Sequence, residues 1–190
     1  QAHALIDRAK AKLGPPTILV NNAGISAPAT LETYDEATLD RMRRVNVNGV
    51  INTTRATMAG MKARGYGRIV NIASNAAIGT TLPGTAFYAA TKAEVLILTK
   101  RFALELGRSG ITVNAVCPGW IVTDMTRGST TEEKFSARVA DMGERTMVGR
   151  VGAPEDIAAA VAFLASPEAG FTTAQVLTVD GGRKDYIGHG

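Results

Sequence analysis

Tyr88 and Lys92 stand four residues apart in the stretch Tyr88-Ala89-Ala90-Thr91-Lys92. On a helix that spacing puts the two side chains one above the other. A phenol titrates near ~10, and a neighbouring cation favours its ionised form. A Tyr/Lys pair facing one ligand can therefore give and take a proton near neutral pH. The same spacing also suits an exposed helix face on which the two residues are merely neighbours. Ser74 favours the first reading. It ends an apolar run fourteen residues before Tyr88, and a Gly- and Thr-rich segment between them can bring the two hydroxyls together. A serine there could hold a substrate oxygen while the tyrosine protonates it.

Other chemistry has less support. The two histidines, His3 and His189, lie at opposite ends of the chain, and with a single cysteine they do not suggest a zinc site. Cys117 follows a strand-like run and precedes Pro118, which reads as a buried core thiol rather than a reactive one.

These residues need elements to position them. Ala2 to Leu13 reads as a helix, stopped by Gly14-Pro15-Pro16. Thr17 to Asn21 reads as a short strand, and Asn22-Ala23-Gly24 turns the chain. A helical pattern begins at Asp35, and Val45 to Arg64 reads as one long helix ended by Gly65-Tyr66-Gly67. Arg68 to Ala73 is a second strand, and a loop runs from Asn75 to Thr85. Phe87 to Leu106 has the clearest helical period, through Val95, Leu98, Phe102 and Leu106. Ile111 to Val116 is a third strand closed by Pro118-Gly119. The polar, Met-rich segment from Thr123 to Val148 contains a helix from Glu132 to Met142. Pro154 opens a helix through Leu164, and Val176 to Val179 is the last strand.

Apolar strands alternating with amphipathic helices predict an α/β fold, a doubly wound parallel sheet of Rossmann type, in one domain. In such sheets ligands bind beyond the carboxyl ends of the strands. That rule selects Asn22-Ala23-Gly24, Ser74 and the run from Pro118 to Thr123.

At 190 residues, 45% hydrophobic and 20% charged, the chain is long enough for one substantial core. It contains no run of apolar residues long enough to span a membrane. The net charge of +4 comes from scattered basic residues, with no basic tail or aromatic-spaced stripe. Such a surface fits a phosphate-bearing cofactor or an acidic partner, and nucleic acid is not expected as a partner. One cysteine suits a reducing, cytoplasmic setting.

Taken in order, Asn21-Asn22-Ala23-Gly24, Val45-Asn46-Val47-Asn48-Gly49, Ser74, Tyr88-xxx-Lys92 and Pro118-Gly119-xxx-Thr123 resemble the short-chain dehydrogenases/reductases. Gly149 to Ala158 and Val179-Asp180-Gly181-Gly182 are similar to that family's C-terminal half. The resemblance implies hydride transfer between NADP or NAD, NADPH slightly favoured, and a ketone/secondary alcohol pair. Tyr88 would be the general acid in reduction and the base in oxidation. Lys92 would lower the tyrosine's pKa and hold the nicotinamide ribose. Ser74 would orient the carbonyl, and Asn46 would anchor a water of the proton relay. Asn22, Ala23 and Gly24 would line the adenosine side. Pro118, Gly119, Ile121 and Thr123 would hold the nicotinamide end.

The spacing from Ser74 to Tyr88 is one residue longer than in many members, and the glycine-rich pyrophosphate turn is absent. The expectation is therefore a C-terminal portion of the domain, lacking its N-terminal strands and exposing an apolar sheet edge. Within the family the chain looks most like 3-oxoacyl and polyketide ketoreductases, which implies a small-molecule substrate that can be acyl-carrier-bound. Sugar or polyol dehydrogenases are the nearest alternative, and a non-catalytic fragment or interaction module is the alternative of another class. A nucleotide-sugar epimerase shares the Tyr/Lys pair but lacks the Asn-Asn-Ala-Gly run. Met125, Phe135, Met142 and Met147 suit either an apolar substrate or packing. The helices at 45–64 and 87–106 are expected to build a homodimer or homotetramer. No metal is expected.

Overall fold

The computed structural model describes residues 2–188, so His189 lies outside the described residues. Four parallel strands form one sheet in the order β1 (Ile18–Asn21), β2 (Gly67–Ile72), β3 (Ile111–Pro118), β4 (Val176–Val179). Parallel neighbours need crossover connections, and helices supply them. α1 (Ala2–Leu13), α2 (Glu36–Arg43), α3 (Gly49–Arg64) and α4 (Ala86–Leu106) precede β3. α5 (Asp124–Arg127), α6 (Glu132–Glu144) and α7 (Pro154–Ala165) follow it.

Alternation along the strands sorts the core into two layers. Ile69, Ile111 and Val113 face α3 and α4, packing with Met61, Ala103 and Leu106. Nearer the strand ends, Ala73 and Cys117 meet Val50 of α3 and Val95 of α4. Val70 and Val116 face the other way, against Leu164 of α7. The sheet is thus covered on both faces, as the doubly wound reading requires. β1 has one strand neighbour among the described residues, and its Ile18 and Val20 are 47% and 40% exposed. The predicted apolar edge is present there.

Three local differences from the sequence reading have physical causes. Residues 45–48 are not α-helical: Arg44–Asn48 is a π-helical turn between α2 and α3. Such turns occur where a side chain is wanted out of the regular ladder, and here Asn46 bonds the backbone of Ile25. The third strand runs on through Cys117 and Pro118, because Cys117 and Pro118 pair with Thr178 and Val179 of β4. On α4 the buried line passes through Val95, Thr99, Ala103 and Leu106, with Leu98 only half-buried. Thr99 takes a core position because its hydroxyl accepts a hydrogen bond from Asn71 Nδ2 at 2.9 Å.

Candidate active site

The carboxyl ends of β1, β2 and β3 open on one cavity of about 920 Å³. Asn22, Ala23 and Gly24 line it after β1, and Ser74 after β2. Pro118, Gly119, Ile121 and Thr123 line it at and beyond the end of β3. Tyr88 and Lys92, in the first two turns of α4, complete the wall. Asn46 lies behind it, 1% exposed.

Ser74 caps a 3₁₀ turn, Asn75–Ile78, its Oγ accepting from the Ala76 N–H at 3.1 Å. The Ser74 side chain lies close enough to the Tyr88 hydroxyl to influence its titration. Burial raises the Tyr88 pKa above its usual 10.0, and the nearby Ser74 side chain pulls the other way. The phenol is therefore held as a proton donor at neutral pH. This corrects the expectation that Lys92 depresses it. The Lys92 ammonium lies 5.9 Å from the Tyr88 ring centroid and donates instead to the Ile72 carbonyl at 2.8 Å. Lys92 is only 4% exposed, and burial brings its own pKa down to about 8.

Asn46 fixes the geometry from behind. Its Oδ1 accepts from Ile25 N at 2.8 Å, while Nδ2 donates to Ile25 O at 2.9 Å and Thr91 Oγ1 at 3.0 Å. One amide thus ties the loop after β1 to the α4 turn carrying Tyr88 and Lys92. A side chain at Gly24 would bring its Cβ within 3.2 Å of Lys92 Nζ. At Gly119 the Cβ would meet Asp180 Cα at 2.7 Å, so the loop after β3 can approach the end of β4 only as glycine.

Thr123 caps α5: its Oγ1 accepts from Thr126 N, and Thr126 Oγ1 accepts from Thr123 N at 2.9 Å. Trp120 packs against Phe135 at 5.9 Å between centroids. The methionine-rich segment divides in two. Phe135 and Met142 are core residues, whereas Met125 is exposed and lines the cavity; Met147 is exposed outside its lining. Cys117 is fully buried, and burial pushes its thiol up to about 11, as suits a packing residue.

Sequence reasoning missed Arg183, which lines the cavity, and the tail that places it. Residues 183–187 run beside the loop after Ser74, with Thr81 N donating to Asp185 O at 3.0 Å and Ile187 N to Gly79 O at 2.8 Å. Arg183, 5% exposed, pairs with Asp185, which Arg145 also engages at 3.1 Å. The Tyr186 hydroxyl donates to the Asp180 carboxylate. Nothing in the periodicity marked this contact, because it joins a tail to a loop. Arg138, which also lines the cavity, was missed as well. Among the described residues, no group of three or more His, Cys, Asp or Glu side chains is gathered to hold a metal, and no helix is long and apolar enough to cross a membrane.

The residues present fit one end of a nicotinamide dinucleotide. The cavity wall carries no carboxylate, and glycine at 24 and 119 leaves room beside Lys92 and Asp180. Comparison with known proteins agrees with this arrangement. A family model described as Enoyl-(Acyl carrier protein) reductase matches residues 1–184. Acetoacetyl-CoA reductase of Rhizobium meliloti is 43% identical over 179 residues, covering 94% of this chain and 72% of that protein. The 3-oxoacyl-[acyl-carrier-protein] reductase of Vibrio cholerae is 41% identical over 172 residues, covering 90% of this chain and 68% of its own length. A gluconate 5-dehydrogenase from Burkholderia cenocepacia, solved with NADP and tartrate, superposes with a TM-score of 0.87 at 38% identity. That match covers 95% of this chain and 69% of the solved one. Its sheet, its strand-end cavity and these relatives together establish that the chain belongs to the short-chain dehydrogenase/reductase family of oxidoreductases.

Proposed function

We propose that this chain forms the catalytic part of an NADPH-dependent ketoreductase of the 3-oxoacyl type. The observation that carries the reading is that Ser74, Tyr88 and Lys92 line one cavity, with Ser74 close enough to the Tyr88 hydroxyl to influence its titration. A bound nicotinamide would supply the hydride. The chain's own residues do the rest. Ser74 and Tyr88 grip the carbonyl oxygen, and the half-buried phenol gives it a proton as negative charge builds there. Lys92 faces the cofactor ribose, and Asn46 holds the loop and helix in register behind it. Asn22, Ala23 and Gly24 border the adenosine side, while Pro118, Gly119, Ile121 and Thr123 border the nicotinamide end.

The named activities of the relatives support a 3-oxoacyl thioester as substrate, carried by coenzyme A or by an acyl carrier protein. NADP in the related gluconate enzyme supports the phosphorylated cofactor. That same relative favours the second reading, a sugar-acid or polyol dehydrogenase. The single, buried cysteine suits a cytoplasmic enzyme. Exposed Ile97 and Leu104 on α4 supply apolar surface for a homodimer or homotetramer.

The test is deuteride transfer from labelled NADPH by the complete polypeptide, with acetoacetyl-CoA and 5-ketogluconate offered separately. Deuterium at C3 of 3-hydroxybutyryl-CoA is the expected product. Transfer to the sugar acid alone would establish the second reading, and transfer to neither would defeat both.

A further inference from the structure

We infer that Arg138 recognises an oxyanion on the organic substrate, a carboxylate or a phosphate, and so determines specificity in the proposed reduction. The inference rests on that reading of the site. On α6, Phe135 and Met142 anchor the helix at 4% and 2% exposure, and Arg138, between them, is exposed. Arg138 itself forms part of the cavity wall.

Three cations line that cavity. Lys92 donates to the Ile72 carbonyl, and Arg183 is paired with Asp185. Arg138 is in no ion pair and no side-chain hydrogen bond among the described residues. The neighbouring Arg127, by contrast, is taken up by Glu132 and by the Phe135 ring, 4.3 Å from its centroid. No Asp or Glu lines the cavity, while Leu82, Trp120 and Met125 do. Apolar walls with one uncompensated guanidinium select a ligand with an apolar body and an anionic end. A planar fork of donors suits the oxygens of a carboxylate or a phosphate.

The experiment compares the complete enzyme with Arg138→Gln and Arg138→Lys on three substrates sharing one ketone. Acetoacetate carries a carboxylate, acetoacetyl-CoA carries phosphates, and ethyl acetoacetate is neutral. The expected result for Arg138→Gln is a KM raised about 10-fold or more for one anionic substrate, with Arg138→Lys recovering part of the loss. Which anionic substrate suffers identifies carboxylate or phosphate as the source. The KM values for ethyl acetoacetate and NADPH are expected to stay unchanged. Equal losses on neutral and anionic substrates, an unchanged KM for both anions, or a raised NADPH KM would overturn the inference while leaving the ketoreductase reading intact. Failure of the unmodified enzyme to reduce any of the three would defeat both.

Discussion

Tyr88 and Lys92 are driven in opposite directions by the same burial. Burial raises the phenol's pKa and brings the ammonium's down to about 8. A protonated phenol suits reduction, so kcat/KM for reduction should hold across neutral pH and fall only in alkali, while oxidation climbs with pH. Profiles measured in both directions check this, and a reduction rate already falling with rising pH below 7 would contradict it. Lys92 also links the site to stability. Between about 8 and 10.5 the unfolded chain binds the proton that the folded chain has released. Stability therefore rises with pH across that window. Lys92→Met removes the buried charge and should be more stable than the parent at pH 7 by ~2 kcal/mol, though inactive. Urea unfolding at pH 7 and pH 10 should show the gap shrinking at the higher pH.

At the scale of elements, polar side chains within the core hold strands and helices in register. Thr53 Oγ1 donates to Asn21 Oδ1 at 2.6 Å, Asn21 Nδ2 to Asn71 Oδ1 at 2.8 Å, and Asn71 Nδ2 to Thr99 Oγ1 at 2.9 Å. One chain of bonds thus joins α3, β1, β2 and α4. Thr99→Val would strand the fully buried Asn71 amide and should cost ~1–3 kcal/mol in denaturant unfolding. Asn46→Ala should cost ~2 kcal/mol and also reduce turnover, because it frees both Ile25 and the α4 turn. The strands and helices were legible in the sequence because their apolar periods match their burial. The π-helical turn was not, since Val45 to Arg64 carries a helical period throughout and only the distant Ile25 backbone explains the distortion. The site residues at strand ends were legible from the parallel-sheet rule and family resemblance together. The tail 183–187, which brings Arg183 to the cavity, had no local signal, because it is held by contacts more than a hundred residues apart, as between Thr81 and Asp185.

Across the whole molecule, the cavity borrows its walls from both halves of the chain. Its floor is the strand ends, one side is α4, and the other is the segment from Trp120 to Arg138 with Arg183 beyond it. The two exposed large apolar side chains on α4, Ile97 at 60% and Leu104 at 69%, lie away from that cavity. If they seat a second copy, the double substitution Ile97→Lys, Leu104→Lys should convert the assembled enzyme to a smaller species in sedimentation while preserving its circular dichroism. The central claim remains chemical: the Tyr88 hydroxyl is the proton donor of the reaction. Tyr88→Phe removes that hydroxyl and almost no volume, so NADPH binding and the fold should persist. Steady-state reduction of acetoacetyl-CoA by this variant of the complete enzyme is expected to fall by ~10³-fold or more. Turnover near that of the parent, with the cofactor still bound, would contradict the account.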